Sequence, residues 1–82
     1  MEARQRIKQY IAANYLFSDD PGTVGDQQPL IQSGILDSMG VFELIAYIEG
    51  DFGIKVSPEE MLPTNFGTVE AIDAFVRAKQ AA

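Results

Sequence analysis

Between Ser38 and Phe52 the apolar residues Val41, Leu44, Ile45, Ile48 and Phe52 recur at i, i+3, i+4, i+7 and i+11. That spacing places them along one stripe of an α-helix and demands a second apolar surface to cover it. No other segment constrains the fold as strongly. Gly53 follows at the place where a left-handed C-cap belongs, with Ile54 and Val56 available to pack as the chain leaves. Nothing alternates with period two for long enough to make a sheet.

The flanking segments supply the cover. A first helix is predicted over about residues 2–17, with Ile7, Tyr10, Ile11, Asn14 and Tyr15 on its inner face and Leu16 and Phe17 closing it. Ser18-Asp19-Asp20-Pro21-Gly22 stops that helix. Ser57-Pro58-Glu59-Glu60 reads as an N-cap, a proline at N1 and acids in a first turn, opening a short helix that Pro63 interrupts within two turns. Thr68 caps a last helix whose apolar face is Val69, Ile72, Phe75 and Val76. Residues 18–37 form a long connection with two prolines and three glycines, pinned by Leu30, Ile31 and Ile35. Connections of this length in small domains tend to be functional or flexible. The expectation is an all-α, small four-helix bundle of three longer helices and one short one, filling residues 1–82 as a single monomeric domain.

Charge is unevenly placed. Arg4, Arg6 and Lys8 open the chain and Arg77 and Lys79 close it. Between residues 9 and 76 eleven acids face one base, Lys55, a balance of −10. Such a field repels nucleic-acid phosphates and attracts basic protein surfaces, although acids also serve plain solubility. No apolar run approaches the roughly 20 residues of a membrane span, and the N-terminus lacks an apolar signal core. With no cysteine and therefore no disulfide or thiolate metal site, the chain reads as soluble and cytoplasmic.

Gly34-Ile35-Leu36-Asp37-Ser38-Met39 leads into the strong helix. Asp and Ser are common at helix starts because their side chains bond orphan N–H groups, so capping alone accounts for Ser38. A helix start also favours a phosphate, which gives Ser38 a second reading as an attachment point. Serine catalysis fails on inventory: the chain has no histidine, and Lys8, Lys55 and Lys79 lie far along it from Ser38. Ser18–Gly22 lacks the ligand pattern of a calcium loop, no glycine-rich phosphate loop is present, and Asp26 reads as a solvated carboxylate. Met39, Phe42, Glu43, Ala46 and Glu49 recur on a helix face beside the buried stripe. They form either more core, in the case of Met39 and Phe42, or an apolar strip rimmed with acid on which basic partners dock.

Together these segments resemble an acyl carrier protein or related carrier domain of the phosphopantetheine-binding family. The likeness rests on Leu30, residues 34–39, Val41 through Ile48, residues 49–56, Pro58-Glu59-Glu60, Asn65-Phe66, Thr68-Val69 and Ile72, covering about residues 5–77. It implies a non-enzymatic carrier in which a phosphopantetheinyl transferase attaches 4′-phosphopantetheine, taken from coenzyme A, to Ser38. Asp37 would match the aspartate of the attachment motif and assist recognition or metal placement during loading; no resident metal is implied. Met39, Phe42, Glu43, Ala46 and Glu49 would face partners, namely the transferase, an acyl- or aminoacyl-loading ligase and downstream biosynthetic enzymes. Apolar side chains between the second, third and fourth helices would shelter part of a nonpolar cargo. Two departures from fatty-acid carriers stand out: Gly40 replaces an acid, and Gly50 breaks the acidic run at Glu49-Gly50-Asp51. Residues 61–66 look more like the discrete carriers of specialised pathways. The expected function is an acyl carrier of fatty-acid, polyketide or other specialised biosynthesis. The alternatives are an aminoacyl or peptidyl carrier and, in another class, an unmodified helical interaction module.

Overall fold

The helix with the strong stripe forms where its spacing predicts. In the computed structural model, which describes residues 3–81, it runs Ser38–Phe52 (α2). α1 (Ala3–Tyr15) precedes it, and α3 (Pro63–Phe66) and α4 (Val69–Ala81) follow. All regular structure among the described residues is helical, as the absence of period-two alternation requires.

Leu44, Ile45 and Ile48 of α2 are buried together with Ile7 and Ile11 of α1 and Val69, Ile72 and Val76 of α4. Val41 and Phe52, at the margins of the stripe, are half-buried against this cluster. Gly53 ends α2 with φ 67° and ψ 33°, and its N–H donates to the Glu49 carbonyl at 3.1 Å. A residue with a Cβ would be strained in that left-handed conformation, which is why glycine closes the helix. Thr68 caps α4 as expected, its hydroxyl accepting the Ala71 N–H at 3.1 Å.

Three expectations need correction. α1 stops at Tyr15 rather than Phe17: Phe17 adopts φ 52° and is 90 % exposed, while the Leu16 and Ser18 N–H groups both converge on the Ala12 carbonyl. The predicted start at Glu2 lies outside the described residues. Asn14 also faces solvent, donating back to the Tyr10 carbonyl, and Ala12 takes the buried place. Tyr10 is drawn sideways onto Tyr47 of α2, the rings stacked at 4.1 Å. Second, the short helix is split. Pro58–Glu60 is an isolated 3-10 turn, and Pro63 begins α3 rather than ending its predecessor. A proline at the first helical position loses only an N–H that has no helical partner there.

Third, Asp26 is not a free carboxylate. It pairs with Lys8 and, at 2.9 Å, with Arg4, whose other nitrogen reaches Asp73 at 3.1 Å. Asp73 is 2 % exposed and also takes Arg77 at 3.2 Å. Arg4, Lys8 and Arg77, drawn from both chain ends, thus close on two acids. A paired and hydrogen-bonded carboxylate tolerates burial that an isolated one does not.

The long connection is anchored by Val24, Leu30 and Leu36, all buried, with Ile35 half-buried. Ile31, expected to join them, is 50 % exposed. The backbone decides this. Leu30 donates to the Gly67 carbonyl and accepts from the Leu36 N–H, both at 2.9 Å, while Glu70 donates to the Asp26 carbonyl at 2.9 Å. With Leu30 held inward on both sides, its neighbour is left at the surface.

Glu60 illustrates how these ties titrate. Its carboxylate accepts Lys79 at 2.8 Å and both the N–H and the hydroxyl of Ser57 at 3.0 Å. Lys79 foremost, then Ser57, hold its pKa down to about 2 from an ordinary 4.5. A depressed carboxyl stabilises the fold above its unfolded pKa and loses that contribution as pH falls through the folded one. Glu60→Gln is therefore expected to lower Tm at neutral pH, with the deficit against wild type shrinking between pH 4.5 and about 2. Thermal denaturation of both proteins across that range checks it.

Candidate functional site

The entry to α2 is built by a turn and a cap. Gly34 takes φ 82°, open to glycine without strain, and its N–H donates to the Ile31 carbonyl at 3.0 Å. The chain then buries Leu36 and reaches Asp37 in an extended conformation, φ −105° and ψ −173°. Asp37 Oδ1 accepts the Gly40 N–H at 2.8 Å, and the Asp37 carbonyl accepts the Val41 N–H at 3.0 Å. Asp37 is the N-cap. Ser38 is the first helical residue, exposed, and its hydroxyl makes no hydrogen bond among the described residues. Of the two readings that Ser38 permitted, capping is removed: the neighbouring aspartate performs it.

Gly40 explains itself at the same turn. A Cβ there would meet Leu36 Cδ2 at 3.2 Å, Asp37 Oδ1 at 3.4 Å and Tyr15 Cε1 at 3.4 Å. The Tyr15 ring of α1 fills the place where a fatty-acid carrier has an acid, and its hydroxyl donates to Glu43 one turn further along. Burial first, and the bond to Glu43 second, push the Tyr15 pKa up, so it stays a neutral donor.

The face running on from Ser38 is now explicit. Met39 and Phe42 are 67 % and 59 % exposed and so are not core. Ala46 and Glu43 are exposed beside them. Glu49 departs from the expected strip: its carboxylate accepts the Val56 N–H at 2.9 Å and fastens the segment after α2. Two further apolar residues border the site unpredicted, Ile31 and Leu62, each 50 % exposed. With Val41, Met61 and Phe66 they line a depression of about 100 Å³. Adjacent apolar residues at Leu30 and Ile31, only one of which the backbone can turn inward, were the available signal for Ile31. Two broader depressions, of about 530 and 500 Å³ around Lys55 and Lys79, lie near the opposite end of α2, roughly 20 Å of helix away. Among the described residues no cluster of acids could hold a metal ion, and no helix is long and apolar enough to cross a membrane.

Residues 5–76 match the family described as "Phosphopantetheine attachment site". The chain belongs to this carrier family. Among relatives, the carrier is 28 % identical over 76 residues to a probable acyl carrier protein, PigG, of Serratia sp., an alignment covering 93 % of this chain and 86 % of the relative. It is 37 % identical over 69 residues to the D-alanyl carrier protein of Streptococcus uberis, covering 84 % and 86 %. To the D-alanyl carrier protein of Streptococcus pyogenes serotype M5 it is 39 % identical over 57 residues, covering 70 % and 71 %. The carrier's cofactor is accordingly 4′-phosphopantetheine, covalently held. The α2 entry fits such a group: it offers an exposed serine whose hydroxyl has no hydrogen-bond partner among the described residues, at a helix start whose first N–H groups are unsatisfied within the helix.

Substitutions separate the cap, the tie and the open face. Asp37→Ala should cost about 1 kcal/mol, the usual loss for a capping side chain, and lower Tm by roughly 4–8 °C in a domain of this size. Glu49→Ala removes the acceptor of a half-buried backbone N–H and should cost about 1–2 kcal/mol. Met39→Ala and Phe42→Ala, on the open face, should stay within about 0.5 kcal/mol of wild type. Urea denaturation of the four variants measures the difference.

Proposed function

We propose that Ser38 is the attachment residue and that the protein carries acyl-type intermediates between enzymes of a specialised biosynthetic route. The observation that carries this is the division of labour at the α2 entry, where Asp37 makes the cap and leaves Ser38 exposed, its hydroxyl without a hydrogen-bond partner among the described residues. A serine with no histidine in the chain to activate it is suited to modification by another protein. When bound, phosphopantetheine supplies the thiol that this cysteine-free chain lacks and holds cargo as a thioester. Ser38 anchors the group, and the orphan N–H groups of the helix start favour its phosphate. Asp37 holds the turn in shape for recognition by the transferase.

Met39, Phe42 and Ala46, with Glu43 at the edge, form the face that successive partners meet. An apolar centre with an acidic rim steers basic partners by charge, which raises the rate of encounter more than the lifetime of the complex. That suits a carrier, which must leave the transferase, the loading ligase and each downstream enzyme in turn.

Aminoacyl cargo is the second reading, and one observation favours it. Two of the relatives described above are named as D-alanyl carriers, with 37 % and 39 % identity to this chain. Gly40, Gly50 and residues 61–66, where the sequence departs from the pattern of fatty-acid carriers, are compatible with it.

Incubation with a broad-specificity phosphopantetheinyl transferase and coenzyme A is expected to add the mass of one phosphopantetheine group, read by intact mass spectrometry. Ser38→Ala should abolish the gain. No gain on folded wild type, beside an active control carrier, would leave an unmodified interaction module; a gain that survives the substitution would move the attachment elsewhere.

A further inference from the structure

The last residue of α1 reaches across to the edge of the exposed α2 face. The two helices run antiparallel: Arg6 meets Asp51, Tyr10 stacks on Tyr47, and Tyr15 rests on Gly40. At about 100° per residue, Glu43 lies between Met39, which faces outward, and Gly40 and Tyr47, which face α1. An edge residue of this kind can swing out over the exposed face or back toward α1. Tyr15 decides. Its hydroxyl donates to Glu43 Oε1 at 2.5 Å and lies 3.5 Å from the Gly40 carbonyl. Glu43 stays exposed, and its Oε2 accepts no hydrogen bond among the described residues.

Glu43 is also the acid of α2 left for a partner. The helix holds three acids, Glu43, Glu49 and Asp51. Glu49 is turned back onto the Val56 N–H, and Asp51 is held by Arg6 at 3.4 Å and by the Tyr47 hydroxyl at 3.3 Å. Gly40 and Gly50 carry no charge. The rim of the Met39, Phe42 and Ala46 face therefore rests on one carboxylate, roughly 7.5 Å along the helix axis from Ser38.

The ring and the hydroxyl of Tyr15 have separable tasks. The ring packs: its Cε1 would stand 3.4 Å from a Cβ at Gly40, and it meets Tyr10 edge-on at 6.1 Å and 67°. The hydroxyl adds order at the surface, where a single hydrogen bond contributes only modestly to stability. A free glutamate gives up rotamer freedom each time a partner's base fixes it, and this weakens association. At Glu43 the fold has already imposed that order.

We propose that Tyr15 is a positioning residue for docking: it holds Glu43 in the one place where a basic side chain of the transferase meets it. The inference rests on attachment at Ser38 and on the exposed α2 face as the docking surface. It brings α1 into recognition through a hydroxyl that the pattern of α2 alone does not include.

The test compares full-length wild type, Tyr15→Phe, Glu43→Gln and the double variant as substrates of a broad-specificity transferase with coenzyme A. Initial rates are read by intact mass across carrier concentrations, and Tm establishes that each variant is folded. Tyr15→Phe keeps the ring and the net charge. At low salt it should raise KM roughly 2- to 10-fold, the effect of one side chain that must now be ordered on binding, with kcat unchanged. The rise should vanish near about 0.5 M salt, where exposed charges are screened. In the Glu43→Gln background, Tyr15→Phe should change KM no further. A merely structural hydroxyl would move KM in both backgrounds and at both salt concentrations, and that result overturns the proposal. So does an unchanged or lowered KM in Tyr15→Phe, or a wild-type KM in Glu43→Gln. Each of these leaves attachment at Ser38 intact. Failure of folded wild type to gain mass, beside an active control carrier, overturns the attachment itself.

Discussion

The rotation of α2 about its own axis is the constraint on which the rest depends. Each residue advances about 100° around a helix, so burying Leu44, Ile45 and Ile48 leaves no choice about Met39, Phe42 and Ala46. They must face away. The same rotation turns Gly40 toward α1, where Tyr15 comes down on it, and turns Val41 toward the small depression beside the third helix. Core, exposed apolar face and small depression are three sectors of one cylinder. A change that rolled the helix by one residue would lose all three at once.

Polar ties then hold neighbouring elements against that cylinder. Arg4 bridges Asp26 of the long connection to the buried Asp73 of α4, Arg6 reaches Asp51 at the end of α2 at 3.4 Å, and Lys79 reaches Glu60. Exposed pairs of this kind contribute little singly. Asp73 differs because it is buried, and a buried acid deprived of its partners is costly. The bases of the chain ends are thus engaged in internal pairs, while Glu59, Asp19 and Asp20 remain exposed with no ion pair among the described residues. The excess acid behind the net charge of −6 therefore lies on the surface away from these pairs.

Periodicity revealed α2 to the residue, because its stripe, its cap and its terminal glycine agree. It revealed α4 for the same reason, through Thr68 and the spacing of Val69, Ile72 and Val76. α1 was legible in kind but not in its ends or its inner face: stacking of Tyr10 on Tyr47 is a contact across the fold that no local pattern carries. The roles of Asp26 and Ile31 were hidden for a related reason. One is decided by bases some twenty residues earlier, the other by a backbone bond to Gly67. At the site, Ser38 was legible as a residue of two readings, and the hydrogen bond from the Gly40 N–H to Asp37 takes the cap from it. Glu49 shows the limit of counting around a helix: its Cα has the expected position, but its long side chain reaches back to Val56.

The backbone bonds that moor the long connection also have a meaning in time. Leu30 finds its acceptor at Gly67, and Asp26 finds its donor at Glu70, so both moorings need residues made well after Ser38. Such distant pairings close late, because the intervening chain must first be ordered. The turn before α2 therefore acquires its full scaffold only once the beginning of α4 has docked.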